Sequence, residues 1–166
     1  MIRIFTFIGL GLLLSSCSLQ PLYSGGATGA VATTLGSVSV EPIEGKAGWL
    51  MRNALNDRLA ASGDNAPRYR LVVALDDDIE GFGVRANDTI TRERRTLRAR
   101  YQLIDNASGT TLVNATAGSD AGIDVVGSEY ATIAGENSAL ENLSQRVADQ
   151  IVTRLSLYAR QATPAE

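Results

Sequence analysis

The stretch that decides the fold is Ile90–Asp105, with the sequence ITRERRTLRARYQLID. In its second half apolar and polar residues alternate, and the apolar set is Leu97, Ala99, Tyr101 and Leu103. This period of two predicts a long β-strand with one buried face. Residues 105–109, with the sequence DNASG, are of the types that tolerate tight turns. They predict a hairpin into a further strand over Thr111–Val126, which is weaker and interrupted by glycine.

Elements upstream of this hairpin continue the pattern. A short half-buried strand is predicted at Val38 and Val40, and another strand over Tyr69–Leu75, where the alternation recurs. Between them, Lys46–Ser62 carries apolar residues at helical spacing, and Gly63 is a typical helix stop. The order is therefore strand, helix and strand before the long hairpin.

The longest helical stretch follows the hairpin, over Ser128–Arg160. Its apolar residues recur at intervals of three, four and seven, and they are Ile133, Leu140, Leu143, Val147, Ile151, Leu155 and Tyr158. The other face carries Asn137, Glu141, Asn142, Gln145, Asp149 and Gln150. Such an amide-rich face suits a wet interface and bulk water equally.

Together these elements predict an α+β fold, with a mixed sheet of about four strands and two amphipathic helices packed on one face. Because a helix separates the first two strands, we expect them to be parallel with a right-handed crossover. The later strands are joined by hairpins. A length of 166 residues fits one domain, and no internal repeat is evident.

The N-terminus is typical of a secretion signal. Arg3 and the free amine supply positive charge, and an apolar run over Ile4–Leu14 follows. A helix of that length spans about 16 Å, roughly half of a bilayer core, so the run indicates export rather than a membrane span. It ends in Leu14-Ser15-Ser16-Cys17, which resembles the bacterial lipobox. There the cysteine thiol takes a diacylglycerol, and cleavage before it frees an amine that is acylated in turn.

Cysteine usage favours lipidation over a plain secretory signal with an incidental cysteine. Cys17 is the only cysteine, and a free thiol would be a liability in an oxidising compartment. Two or three acyl chains give lasting attachment to a membrane. We therefore predict a lipoprotein signal peptide over residues 1–16, a lipidated tether over 17–35 and a single globular domain over 36–166.

Composition excludes most catalytic sites. The chain has no histidine, so Ser-His-Asp and Cys-His pairs and histidine-rich metal sites are excluded. The net charge is −3, and it becomes −4 once Arg3 leaves with the signal, so a nucleic-acid partner is not expected. We predict no enzyme and no cofactor. A carboxylate-dependent hydrolase is an alternative for which no acid–base pair is evident.

Several short sequence motifs, in their order and spacing, match one protein family. The motifs are Cys17 with Gln20-Pro21-Leu22-Tyr23, Val38-Ser39-Val40-Glu41-Pro42-Ile43, Leu50-Met51-Arg52-Asn53-Ala54-Leu55, Tyr69-Arg70-Leu71-Val72-Val73, Thr91-Arg92, and Ala99-Arg100-Tyr101-Gln102-Leu103-Ile104-Asp105 with Gly109. In these motifs the chain resembles the LPS-assembly lipoprotein LptE family, in its alphaproteobacterial form. The family often has Gly-Phe after the cysteine, and Ser18-Leu19 replaces it here. The resemblance covers nearly the whole mature chain.

The resemblance implies a non-enzymatic subunit of the outer-membrane lipopolysaccharide translocon. LptE-like proteins partner the large barrel LptD, plug its lumen, assist its assembly and help deliver lipopolysaccharide to the outer leaflet. A compact domain of this size has a radius of gyration near 15 Å, which suits the lumen of the largest barrels. Ser18, where aspartate would favour inner-membrane retention, implies an outer-membrane anchor on the periplasmic side. An auxiliary lipoprotein of an ABC-type lipid transporter is the alternative, since it can share a similar anchored domain.

Arginines dominate the polar face of the predicted central strand. Arg92, Arg94, Arg98 and Arg100 share that face. Neighbours on one strand face lie about 7 Å apart, so these residues form a candidate lipopolysaccharide-binding row for the phosphates of lipid A. Two other interpretations stay open. The row is a solvated face that guards an edge strand, or it pairs with acidic residues of the barrel wall.

Other conspicuous residues have simpler interpretations. The cluster Asp76-Asp77-Asp78 with Glu80 lacks the spacing of calcium loops, and we predict a strand end running into a solvated loop rather than a metal site. Gly81-Phe82-Gly83 is predicted to be a loop. Trp49 and Tyr130 are predicted to anchor the core or an interface.

Overall fold

A computed structural model describes residues 29–60, 66–84 and 90–162 of the chain. The elements are α1 (Ala30–Leu35), β1 (Val38–Val40), α2 (Gly45–Ala60), β2 (Tyr69–Val84), β3 (Ile90–Asp105), β4 (Thr111–Asp124) and α3 (Glu129–Ala162). The sheet has the order β1-β2-β3-β4, with β1 parallel to β2 and the other pairs antiparallel. The predicted α+β class, the mixed four-stranded sheet and the parallel first pair are confirmed. The predicted signal peptide and Cys17 lie outside the described residues, as do the predicted helix end at Ser62 and the stop at Gly63.

β3 is a central strand, and its predicted buried row is confirmed. Leu97, Ala99, Tyr101 and Leu103 are all at most 3% exposed and face the helices. The predicted turn closes on Asp105, whose carboxylate accepts hydrogen bonds from the backbone N–H groups of the two residues after Asn106. These bonds lower the pKa of the Asp105 carboxyl, chiefly the one from Ser108. Gly109 completes the turn with a left-handed backbone (φ 70°).

Helices α2 and α3 cover the same face of the sheet, as predicted. α3 has 34 residues and spans about 50 Å, which matches the length of the 16-residue strand β3. Its fully buried large apolar residues are Leu140, Leu143, Val147, Ile151 and Leu155. Ile133 was predicted to belong to this row and does not, because it is 47% exposed. It lies in the first turns of α3, near the end of the sheet where β2 and β3 leave the core.

A third helix lies where the sequence predicted only a tether. α1 occupies Ala30–Leu35, and its Val31, Ala32 and Leu35 are buried in the main core. No described side chain caps this helix, so there was little local signal to predict it. The core therefore begins several residues before the predicted domain boundary at residue 36.

The acidic run and the glycine pair lie in a strand, not in a loop as predicted. β2 continues through Asp76-Asp77-Asp78 and Gly81-Phe82-Gly83 to Val84, and nearly every one of its residues pairs with β3. Arginines on β3 face this run across the sheet. Opposite charges on neighbouring strands stabilise such pairs and offset the low strand propensity of aspartate.

Amides and carboxylates of the polar face of α3 bind other parts of the domain. Asn137 Oδ1 accepts a hydrogen bond from Lys46 Nζ, and Asp149 Oδ1 accepts one from Arg58 Nε at 2.5 Å. The amide of Gln150 donates to the carbonyl of Gly118 and accepts from its N–H group. Gly118 lies on the edge strand β4, so Gln150 satisfies backbone groups that would otherwise offer an edge for strand addition.

Within the described residues, no helix combines the length and the apolar character that crossing a membrane requires.

A substitution at Gly48 tests how closely α2 packs against the residues that precede the helix. A Cβ atom at this position would lie 2.5 Å from the carbonyl oxygen of Ile43, which is backbone and has little room to move. We expect Gly48→Ala to lower the free energy of unfolding by roughly 1–3 kcal/mol, despite the gain in helix propensity. Urea denaturation of the purified protein measures this change.

Gly127→Ala is the matched control, because a Cβ there meets nothing within 4 Å. Its free energy of unfolding should stay within about 0.5 kcal/mol of the wild type, as for ordinary surface substitutions. Equal stability of the Gly48→Ala protein and the wild type would contradict the close approach.

Candidate functional site

The candidate site is the open face of the sheet, which we define by the even-numbered residues of β2, β3 and β4. Strand alternation directs their side chains away from the helices. The predicted arginine row lies there: Arg92, Arg94, Arg98 and Arg100 are all exposed and belong to this face of β3. The structure thus brings together all four candidate residues predicted from the sequence.

Carboxylates flank this row on both sides. In the strand register, Asp76 lies opposite Arg98 and Glu80 opposite Arg94 on β2, and Asp124 lies opposite Arg92 on β4. The open face therefore has a basic column between two acidic columns. Part of it forms a shallow depression of about 440 Å³, lined by Asp76, Asp78, Glu80, Arg94, Thr96 and Arg98.

The four arginines differ in how far they are already engaged. Arg92 Nε donates a hydrogen bond to Asp124 Oδ1 at 3.0 Å. The guanidinium carbon of Arg94 lies 5.3 Å from the centre of the Phe82 ring, within the range of a cation–π contact. Among the described residues, neither Arg98 nor Arg100 has a carboxylate within 4.0 Å. Arg98 and Arg100 are therefore the members of the row most open to an external anion.

Arg100 has the least compensated position of the four. Its register partners are Ala74 on β2 and Thr116 on β4, neither of which carries a charge. Arg98 faces Asp76 on one side and Gly118 on the other. The pair of arginines thus forms a local positive patch, although the whole face is nearly balanced in charge.

The acidic column does not assemble into a cation site. No group of three or more cysteine or acidic side chains in the described part of the chain is arranged to hold a metal ion. Asp76, Asp78 and Glu80 are spread along one strand face at intervals of about 7 Å, too far apart to share one ion.

A fifth arginine, Arg95, has a different role that the sequence analysis missed. It lies on the helix-facing side of β3, where its Nε and NH2 groups donate to both carboxylate oxygens of Asp77, at 2.7 and 2.5 Å. Its NH1 group donates to the carbonyl of Glu136 on α3 at 2.9 Å. The hydrogen bonds to Asp77 raise the pKa of Arg95 further above its ordinary value. Strand parity had already excluded Arg95 from the predicted row, but its contacts with Asp77 and α3 could not be predicted from that parity alone.

Large apolar side chains are exposed where β2 leaves the core and α3 begins, which we call the distal end. The exposed residues there are Ile79, Phe82, Val126, Tyr130 and Ile133. Tyr130 is 84% exposed and Trp49, on α2, is 64% exposed, so neither anchors the core. Of the two roles predicted for them, only the interface role is left.

Comparison with protein families identifies the domain. The family LptE, described as lipopolysaccharide-assembly, matches residues 35–155. The chain belongs to the LptE family. The resemblance based on its sequence motifs is confirmed, and the role of the chain as a lipopolysaccharide-assembly protein follows. Among curated proteins, none matches the chain significantly.

Solved structures of lipoproteins share the fold of this LptE-family chain. A lipoprotein from Caulobacter crescentus superposes with a TM-score of 0.68 at 22% identity, covering 82% of this chain and 100% of that one. The minor lipoprotein of Acinetobacter baumannii gives 0.59 at 16% identity, covering 72% and 90%. The rare lipoprotein B of Shewanella oneidensis gives 0.55 at 10% identity, covering 76% and 96%. At these identities the likeness concerns the fold.

Arg95 should matter for stability, unlike its neighbour on the open face. The side chains of Arg95 and Asp77 are only 11% and 22% exposed, so Arg95→Leu leaves a largely buried carboxylate without its partner. We expect a loss of about 2 kcal/mol in the free energy of unfolding. Arg94→Leu is the control, because it removes one exposed arginine from the same strand, and it should cost much less. Equal losses in the two variants, measured by thermal and urea unfolding, would show that Arg95 does not brace β3 against α3.

Proposed function

We propose that this chain is the lipid-anchored LptE subunit of the outer-membrane lipopolysaccharide translocon. In this role it plugs an LptD-type barrel, assists assembly of that barrel and helps deliver lipopolysaccharide to the outer leaflet. The observation that carries the proposal is the family match over residues 35–155, which spans most of the described domain. The proposed role is structural rather than enzymatic, in keeping with the absence of histidine.

Lipidation at Cys17 would tether one particular end of the domain to the membrane. The chain enters the core at α1, and β1 then pairs with the start of β2 beside the turn at Asp105. We call this the proximal end. The residues between Cys17 and Gly29 reach at most about 40 Å when extended. The proximal end would therefore stay within about 40 Å of the membrane surface, and the distal end lies about 45 Å from the proximal end along the strands.

Shape and polarity support a place inside a wide barrel. The domain is about as long as α3, roughly 50 Å, and narrow across its four strands. The open face presents alternating acidic and basic columns rather than an apolar surface. The lumens of large outer-membrane barrels are polar, and such a face can pair with charges of either sign on the lumen wall.

Contact with lipopolysaccharide would fall on Arg98 and Arg100. Arg92 is bound to Asp124, and Arg94 lies over Phe82, so both would have to exchange existing contacts. Arg98 and Arg100 have no such partner among the described residues and lie on one strand face about 7 Å apart. Their planar guanidinium groups are suited to bidentate contact with phosphate oxygens.

Depletion with complementation tests the proposed function in the cell. We expect loss of the protein to lower both the mature barrel and the lipopolysaccharide at the cell surface, and the wild-type gene to restore both. Cys17→Ser should abolish acylation and outer-membrane fractionation, which mass spectrometry of the purified protein and sucrose-gradient fractionation measure. Copurification with a heat-resistant barrel is the matching biochemical result.

Normal barrel maturation and normal surface lipopolysaccharide after depletion would refute the assigned role. Copurification with inner-membrane transporter components instead of a barrel would favour the accessory lipoprotein of an ABC-type transporter. An unmodified Cys17 thiol in the native protein would remove the anchor from the proposal.

Reversal of the two free arginines tests direct contact with lipopolysaccharide. The double variant Arg98→Glu with Arg100→Glu should weaken binding of purified lipopolysaccharide roughly tenfold or more, because each charge-assisted contact is worth about 1.5–3 kcal/mol. Far-UV circular dichroism establishes that the variant is folded, and surface plasmon resonance measures binding.

Arg52→Glu with Arg146→Glu is the matched control for that experiment. Both residues are exposed on the helices, away from the open face, and their reversal makes the same change in net charge. Binding should then be nearly unchanged. Equal weakening by both double variants would assign the effect to overall charge, and unchanged binding in a folded Arg98/Arg100 variant would end the hypothesis.

A further inference from the structure

Helices α2 and α3 run parallel and leave a groove between them on the side away from the sheet. The groove has a volume of about 320 Å³, within the range of small-molecule sites. Trp49, Asn53 and Asp57 line it from α2, and Glu141 and Gln145 line it from α3. None of these residues belongs to the open face on which the proposed function relies.

Arg58 is the only cation among the described residues that line the groove, and each of its three nitrogen atoms donates a hydrogen bond within the domain. Its Nε group donates to Asp149 at 2.5 Å, its NH1 group to the carbonyl of Ala54 at 2.8 Å, and its NH2 group to the carbonyl of Gln145 at 3.1 Å. The hydrogen bond to Asp149 also raises the pKa of Arg58 and lowers that of the carboxyl. Arg58 thus uses three of its five N–H groups to join the two helices.

The rest of the lining offers negative charge and hydrogen-bond acceptors. Within the described chain, neither Asp57 nor Glu141 has a cationic group within 4.0 Å. Trp49 is 64% exposed, and the described cation–π contacts involve Tyr69 and Phe82 rather than this ring. A free indole face beside two carboxylates is the combination that attracts a cation.

A buried hydroxyl at the same groove lacks a partner. Ser144 lines the groove and is 1% exposed, yet its Oγ atom makes no hydrogen bond with any described residue. A buried polar group of this kind is uncommon in a folded protein, because leaving it unpaired costs free energy. The other buried serine of this helix, Ser156, donates to the carbonyl of Val152, so α3 itself can satisfy such a group. The unpaired Ser144 points to a ligand that supplies the missing hydrogen bond.

We propose that the groove between α2 and α3 binds a ligand through a primary ammonium group, held by Glu141, covered by the Trp49 ring and able to donate to Ser144 Oγ, while Asp57 adds negative charge farther along the groove. An ammonium group has three donors and no acceptor, which matches a lining that is rich in acceptors. Anions are disfavoured here because two carboxylates line the groove and its one cation is already paired with Asp149. Two sources carry this chemistry, namely a free polyamine and the ethanolamine head group of a phospholipid.

Trp49 makes the site directly measurable, because it is the only tryptophan in the chain. The full-length protein, purified in detergent, is titrated with spermidine and separately with dihexanoyl phosphatidylethanolamine while Trp49 fluorescence is recorded. We expect a saturable change with at least one amine, and which amine gives it identifies the source. N-acetylglucosamine and dihexanoyl phosphatidylglycerol, which lack an ammonium group, should give none.

Variants and salt then test the assigned contacts. Glu141→Gln should weaken amine binding roughly tenfold, as expected for loss of a charged hydrogen bond. Ser144→Ala should weaken it severalfold. Glu129→Gln is the matched control, since it makes the same substitution on α3 outside the groove and should leave binding unchanged. Raising the salt concentration should weaken binding to the wild type, because the carboxylates are exposed enough to be screened.

Three results would overturn the proposal. The first is no saturable response to either amine, and the second is an equal response to the neutral or anionic probe. The third is amine binding that Glu141→Gln and added salt both leave unchanged. Because the groove and the open face lie on opposite sides of the sheet, failure here leaves the proposed role in lipopolysaccharide assembly standing.

Discussion

The structure depends on the position of β3 between two antiparallel neighbours. Both of its edges are paired, so side-chain alternation gives each residue a fixed destination, under the helices or on the open face. The apolar surface on which α3 packs is then formed by Leu97, Ala99, Tyr101 and Leu103. The intervening arginines have only the open face available. A shift of one residue in register would bury the arginines and expose the core, so the pattern strongly specifies this arrangement.

The sequence was sufficient to predict an element where its hydrophobic period continued for several helical turns or strand repeats. The prediction failed where tertiary contacts overrode the local preference of the residues. The alternation around Leu97 predicted β3, and the spacing of Leu140 to Leu155 predicted α3. The acidic run after Leu75 was predicted wrongly because aspartate is rare in strands, and only the pairing of β2 with β3 explains its conformation. Asp77 binds Arg95, and Asp76 faces Arg98 across the sheet. That pairing is a tertiary fact that no short window contains.

Two other errors have the same origin. Ile133 continues the apolar spacing of α3 but is 47% exposed, and the buried residues of that helix begin only at Ala139. α1 is too short to show a helical period and has no side-chain cap, and it is held by burial of Val31 and Leu35 in the core. The arginine row was predicted correctly as a set. Its division into engaged and free members could not be predicted, because it depends on residues as distant in sequence as Asp124.

The two faces of the domain differ in the charge that they leave available. On the open face the carboxylates are spread along neighbouring strands, and the unengaged groups with the least compensation are Arg98 and Arg100. On the helix side Arg58 is held by Asp149 and two carbonyls, and among the described residues Asp57 and Glu141 are carboxylates without a cationic group within 4.0 Å. A sheet covered by one layer of helices separates these surfaces by more than about 10 Å, far enough for substitutions on one to have independent effects on the other. The domain therefore presents a guanidinium pair and a carboxylate pair in opposite directions, although its net charge would predict only a weakly acidic protein.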